Sequence, residues 1–378
     1  MINKKIILIT AIVIFNANIT SSYARETIKI VGSSTVYPFA KAVSRRFNQI
    51  TNLNLPEIEA TGSGSGFKLF CAGVGEGHPD INNASRAMQQ SEKDLCAKNG
   101  VKEVSELLIG YDGIALANSV LVDQYNFRIA DLSRGLSKWI INDEGQFVEN
   151  QFTKWNEVNP ALPDAEIKVF GPPASSGTRD AFSELVLIEH AKQHDKLRAL
   201  YNYESSDVAK IKTKISELNI SPSHWDAVVK NKGDKASGKD LIKFLATQIR
   251  DDGAYIETGE NDNTIVNELV SSPYALGILG YGFVQQNKTK VRAAQINDSA
   301  ATSANIGNGT YPLARGLYFY VKKAHINLVP GLHDYVKLFL SRSEVGTKGY
   351  LQNIGLITLD KSTYQSVKNT ANQLNSNI

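Results

Sequence analysis

A chain of 378 residues with 42% hydrophobic and 21% charged residues has the balance of a folded globular protein, and its length calls for two or more lobes. Its 41 basic and 38 acidic residues leave a formal charge of +3. That charge is too small and too evenly mixed to indicate nucleic acid or an anionic membrane, but it is compatible with a small anionic ligand. At the N-terminus, Lys4-Lys5, an apolar run from Ile6 to Phe15 and a small, polar stretch ending Ser22-Tyr23-Ala24 have the three-part layout of a secretory signal peptide (1–24). The apolar run is about half of the ~20 residues needed to span a bilayer. Cleavage after Ala24 gives a soluble exported chain starting at Arg25, with no cysteine at the junction to carry a lipid.

Beyond it, Ile28–Val31 reads as a strand and Tyr37–Ile50 as a helix with Phe39, Val43 and Phe47 on one face. Glu57–Ala60 is the next strand, and a helix starting within Thr61–Gly66 carries Phe67, Leu69, Phe70 and Cys71. Further strands are expected at Ile81–Ala84, Glu106–Tyr111, Ile114–Ala117 and Glu166–Phe170, and helices at Arg179–Gln193, Lys239–Arg250, Asn263–Val270 and Gly331–Leu340. This alternation predicts α/β lobes with largely parallel sheets. The turn residues of 110–113 and 309–312 mark two crossovers, so that 25–112 plus 312–378 form lobe I, a discontinuous unit, and 113–311 form lobe II. The stretch 195–237 is polar with a helical bias, and its run 231–238 reads as a solvated loop.

Cys71 and Cys96, the two cysteines of an exported chain, read as a disulfide, the alternative being two separate buried thiols. Structural zinc wants about four ligands, so two cysteines argue against a metal site.

One small device recurs three times between a strand pattern and a helix pattern: Gly32-Ser33-Ser34-Thr35, Gly62-Ser63-Gly64-Ser65-Gly66 and Ala174-Ser175-Ser176-Gly177-Thr178-Arg179. A helix N-terminus offers free N–H groups and partial positive charge, glycine lets the backbone approach, and hydroxyls add donors. Any one copy is as readily an ordinary helix cap. Three at strand-to-helix junctions, where open α/β sheets bind ligands, point to an oxyanion cradle. None has the spacing of a nucleotide-binding loop. Arg86 and Arg179 lie close to these turns and can fork onto a tetrahedral oxyanion, a surface ion pair being the ordinary alternative for each.

An enzyme is less well supported. The six histidines are scattered; His190 and His194 stand four apart on an expected helix, on what reads as a solvated face, without a His-Glu-x-x-His motif. The run 62–66 follows a strand as a nucleophile elbow does, but Gly64 holds the position that the elbow gives to serine.

Gly-Ser-Ser-Thr-Val-Tyr-Pro (32–38), Thr-Gly-Ser-Gly-Ser-Gly-Phe (61–67), Asp-Ile-Asn-Asn-Ala-Ser-Arg (80–86), Ser-Ser-Gly-Thr-Arg-Asp-Ala-Phe (175–182) and Gly-Ile-Leu-Gly-Tyr (277–281) together resemble the periplasmic phosphate-binding proteins of ABC phosphate importers, the Pst system. The resemblance implies a two-lobed clamp of the type II-like periplasmic binding-protein fold, with two hinge crossovers and the ligand in the interlobe cleft. It implies inorganic phosphate as ligand, permease subunits of an ABC importer as partners, a monomer in the periplasm, no cofactor and no catalysis. By motif it places Ser34, Thr35 and the Val36 backbone, Ser63, and Ser176, Gly177 and Thr178 at the phosphate.

Two positions depart from the family pattern. Well-known members carry an aspartate near the position of Arg86 that accepts the proton of hydrogen phosphate, and an arginine where this chain has Pro172; Arg179 is the natural substitute for the latter. An all-donor site does not discriminate against sulfate, so a phosphate site needs an acceptor from elsewhere. Asp112 is the first candidate, its alternative being a turn former, with Glu260 and Asp262 as second choices. The same clamp for sulfate, molybdate or a phosphonate stays open, as does, less favourably, an exported phosphatase.

Overall fold

The computed structural model describes residues 25–259 and 261–375. The expected signal peptide and the candidate Glu260 therefore lie outside the described residues. Among these residues the chain builds one continuous mixed sheet of nine strands. Its first half holds β1 (Lys29–Gly32), β2 (Glu57–Ala60) and β3 (Ile81–Ala84), with β1 parallel to both neighbours. The long strand β4 (Val104–Ser119) runs into the second half, where β5 (Val169–Gly171), β6 (Tyr255–Glu257) and β7 (Leu276–Gly280) are mutually parallel. β8 (Val291–Ala293) pairs with the far end of β4, and β9 (Ala314–Lys322) lies antiparallel between β3 and β4. The order is β2-β1-β3-β9-β4-β7-β5-β6.

Each half of this sheet carries its own main hydrophobic body, with a smaller cluster on the opposite face. Leu107 and Ile109 of β4 pack with Ile30, Phe39, Val43, Phe47, Leu317, Phe319 and Val321, whereas Ile114 and Leu116 of the same strand pack with Phe127, Leu132, Trp155, Val169 and Ile278. The core membership of β4 thus changes between 109 and 114, and that of β9 between 314 and 317. The sequence suggested two strands broken at 110–113, but β4 passes through unbroken. Its backbone groups there remain paired, since β9 supplies a partner for each residue from Tyr111 to Gly113 and Ile357 bonds Tyr111 in both directions. Ile357 also packs with the second body.

Local chemistry explains the junction elements. Helix α1 (Tyr37–Thr51) starts with Pro38, whose fixed φ suits a first turn, buries Phe39, Val43 and Phe47 on one stripe, and ends at Asn52 with φ 59°. Helix α2 (Ser63–Phe70) lies almost on β1, because a Cβ on Gly66 would stand 2.5 Å from the Cα of Gly32 and 2.1 Å from Oδ1 of Asn82. Only hydrogen fits there. Helix α3 (Gln90–Lys98) is tied to α2 by the Cys71–Cys96 disulfide.

Other expectations are corrected. The predicted strand 166–170 shrinks to β5, with Glu166 making only an isolated bridge to Lys154. The predicted helix 179–193 begins earlier, as α4 (Gly177–Phe182), and continues through a π-helical turn, Ser183–Ile188, into α5 (Glu189–Gln193). The polar stretch that follows is largely helical: α6 (Asp195–Tyr201), α7 (Val208–Glu217) and α8 (Pro222–Lys232) bury Leu200, Ile211, Ile215, Trp225 and Val228 with Leu241 and Ile242 of α9 (Gly238–Ala246). The run 231–238 is solvated only in part: Ala236 is buried, and Ser237, also buried, caps α9 through Asp240. Helix α9 stops at Ala246, four residues short of Arg250, whose guanidinium instead binds the carbonyls of Gly135 and Phe152. No helix among the described residues is long and apolar enough to cross a membrane.

Candidate functional site

The first two glycine–hydroxyl turns sit where the sequence pattern put them, at β1→α1 and β2→α2, and the third at β5→α4. Parallel neighbours β1, β2 and β3 aim their carboxyl ends, and the free N–H groups of α1 and α2, the same way. An open cleft of about 930 Å³ runs between the two bodies, lined on one side by Ser33, Ser34, Gly62–Ser65, Ser85 and Arg86 and on the other by Asp180, Glu184, Ile188 and Lys192, with Arg315 at its floor.

The expected residues fall into three groups. In the first, Ser34, Ser63 and Arg86 line the cleft. Ser63 Oγ accepts from the Ser85 N–H at 3.1 Å and lies 3.3 Å from Ser85 Oγ. Arg86 does not stand free for an anion: it forks onto Glu92 at 2.9 and 2.7 Å, which holds its charge and neutralises it.

In the second group, Thr35 and the third turn meet across the bodies. A Cβ on Gly177 would lie 3.7 Å from the Thr35 Cα, an ordinary contact distance, so the two turns are direct neighbours. Ser176 caps α4, its Oγ accepting from the Thr178 N–H at 3.2 Å, and Val36 is fully buried beneath α1. In that cap Ser176 Oγ only accepts, so its O–H stays free to donate to a ligand while the cap is kept.

Arg179 forms the third group by itself. It is 8% exposed, packs 4.5 Å from the Tyr255 ring centroid and leaves Nη1 without a hydrogen-bond partner, and it does not line the cleft.

The cation at the centre is one that the sequence reading missed. Arg315, 9% exposed, lies opposite Asp112 in the β9–β4 register and donates from Nε to Asp112 Oδ2 at 3.3 Å. Its Nη2 donates to Thr35 Oγ1 at 2.8 Å and its Nη1 to Glu184 Oε2 at 2.6 Å. One guanidinium therefore touches the first turn, strand β4 and the π-helical turn of the second body. The local signal was weak, a lone arginine in Leu-Ala-Arg-Gly (313–316) after a turn, and the strand itself was not predicted. Asp112 is accordingly an ion-pair partner in the strand and not a turn former. Asp262 is elsewhere: its Oδ2 accepts from the Gly280 N–H at 3.1 Å, burial lifts its carboxyl to about 6, and it does not line the cleft.

His190 and His194 also depart from expectation. They line a partly open pocket of about 280 Å³ in the second body together with Trp139, Phe147 and Leu187, and burial lowers His190 to about 4. The pocket walls are mixed, with Arg134, Asn142 and Asp143 beside the apolar side chains, and burial disfavours the charged form of both imidazoles. Among the described residues no cluster of three or more His, Cys, Asp or Glu could hold a metal ion.

A family model described as a PBP superfamily domain matches residues 18–343. Among curated proteins the chain is 27% identical to protein SphX of Synechocystis, over 92% of this chain and 86% of that protein. It is 24% identical to the phosphate-binding protein PstS of Staphylococcus saprophyticus, over 92% and 85%. Among solved structures it resembles that of "a possible phosphate binding protein" from Planctomyces limnophilus, with a TM-score of 0.67 at 24% identity over 92% of this chain and 98% of the other. It also resembles an ABC-type phosphate transport receptor from Vibrio cholerae, with a TM-score of 0.54 at 18% identity over 88% and 99%. The shared fold is the two-lobed α/β clamp.

Proposed function

The chain belongs to the PBP superfamily, and from that membership we propose that it captures inorganic phosphate between its lobes and hands it to an ABC importer. The observation that carries this reading is the meeting of Thr35, Gly177 and Arg315: a donor turn from each body and one buried guanidinium converge at the hinge. Phosphate would be held by Ser34, Thr35 and the Val36 N–H, by Ser63, and by Ser176, Gly177 and Thr178, with Arg315 supplying the charge that Arg86 and Arg179 were expected to give. Glu184 now takes the place on Arg315 that an anion would take, so phosphate entry exchanges one oxyanion for another at low cost in charge.

The protein works as a binding protein and not an enzyme, a monomer delivered to the periplasm by cleavage of its first 24 residues and docking on permease subunits. The domain boundaries proposed are 25–112 plus 312–378 and 113–311; the first lies where β4 changes cores, and the second just ahead of the change in β9, since Leu313 and Ala314 still pack with the second body. Asp112 and Glu184 are the acceptors available at the site for the proton of hydrogen phosphate, which sulfate lacks. Calorimetric titration with phosphate and sulfate at about pH 6 and pH 8, to bracket the second phosphate ionisation, tests the ligand. Phosphate should bind more tightly at both values. Tighter sulfate binding overturns the assignment, and turnover of a phosphate ester lost in Ser63→Ala would show an enzyme.

A further inference from the structure

The cleft carries more charge and more room than one phosphate uses. Six cationic side chains line it against four carboxylates, and the inner cations are already matched, Arg315 by Glu184 and Arg86 by Glu92. Of the other four, Lys68 stands on α2, and Lys192, Lys239 and Lys243 stand on the helical stretch 189–246. Lys192 of α5 and Lys239 of α9 hold their ammoniums 5.6 and 5.8 Å from the Tyr201 ring centroid, and Lys243 follows one turn after Lys239 on the same face of α9.

This placement is unfavourable in the absence of an anion. Lys239 sits in the first turn of α9, where the helix dipole opposes a cation. Lys239 and Lys243 are like charges four apart. The cleft walls strip part of the water around Lys243, although it still reaches solvent, and Lys239 repels it, so both push its pKa below the ordinary lysine value. Lys192 pairs with Glu189 at 3.1 Å, but neither Lys239 nor Lys243 forms an ion pair with a carboxylate among the described residues. Tyr201 is already covered by two ammoniums, so this part of the cleft offers a ligand charge and not a stacking surface.

The cluster is continuous with the Arg315 site. Glu184 binds Arg315 and also acts electrostatically on Lys243. Glu184, Ile188 and Lys192 step along one cleft-facing side of the π turn and α5, at most about 12 Å from first to last at the helical rise, a gap that long lysine side chains shorten.

We propose that the cleft accepts phosphate linked to a second phosphoryl group, inorganic diphosphate being the smallest such ligand, with one group at the Arg315 turns and the other on Lys239, Lys243 and Lys192. The inference rests on the phosphate reading above and widens its substrate class to condensed phosphates.

The test is calorimetry of the purified protein with orthophosphate and with inorganic diphosphate, in chelator and at fixed ionic strength, repeated on the double variant Lys239→Ala/Lys243→Ala and on the charge reversal Lys239→Glu/Lys243→Glu. Diphosphate should bind about ten-fold or more tightly than orthophosphate, as two charge-assisted contacts predict. The variants should bring that ratio towards one, the reversal further than the truncation. Diphosphate binding no tighter than orthophosphate, or a ratio that the variants leave unchanged, overturns the inference while the phosphate reading stands. Diphosphate bound without orthophosphate overturns the phosphate reading alone, and binding of neither overturns both.

Discussion

Arg315 Nη2 donates to Thr35 Oγ1 at 2.8 Å, joining a strand that runs between the two bodies to the turn that starts the first helix. The bond is buried, and the other two contacts of the guanidinium are carboxylates. Arg315→Gln keeps much of the volume but removes the charge and the fork. Phosphate affinity should fall about 100-fold, the scale of two lost charge-assisted hydrogen bonds. Calorimetry reads it; an affinity within two- or three-fold of the parent would remove Arg315 from the site.

Asp112 accepts from Arg315 Nε at 3.3 Å and can serve as the acceptor for the phosphate proton. Asp112→Asn should weaken phosphate about ten-fold or more and sulfate much less, because sulfate brings no proton for the carboxylate to receive. Parallel titrations with the two anions decide it. Equal losses would mean that Asp112 only holds Arg315 in place.

Gly66→Ala tests the packing beneath the second turn. The added carbon would stand 2.5 Å from the Gly32 Cα, which is strand backbone with little room to move. A loss of about 1–3 kcal/mol is expected, in line with overpacking of a filled core. Denaturant unfolding measures it, and an unchanged midpoint would show that α2 can lift away from β1 without penalty.

His190 predicts an acid limb in stability. Its folded pKa is lowered to about 4, chiefly by burial, from an ordinary value of 6.5. Between those values the unfolded chain binds the proton and the folded chain does not, so the contribution is complete above 6.5 and is lost as pH falls towards 4. Its upper size is about 3 kcal/mol. Urea unfolding at pH 7, 5.5 and 4.5 should show the parent losing stability faster than His190→Leu; parallel curves would show that His190 charges without cost.

The sequence determined the local devices: the strand–turn–helix junctions at Gly32, Gly62 and Ser176, the amphipathic stripe of α1, the cysteine pair, and the motifs that resemble those of periplasmic phosphate-binding proteins. These are legible because they depend on neighbours three or four residues away. The helices between 195 and 237 were less so, since their apolar residues are sparse and are buried only against α9. What the tertiary structure decided was which charges meet. Arg86 is drawn to Glu92, six residues on and across the start of α3, and Arg179 to Tyr255 on a neighbouring strand, whereas Arg315 is carried by an antiparallel register to the side of Asp112, 203 residues away in sequence. Spacing along the chain contains no record of that pairing. It arises because β9 lies between β3 and β4, which puts the Arg315 guanidinium within reach of both bodies.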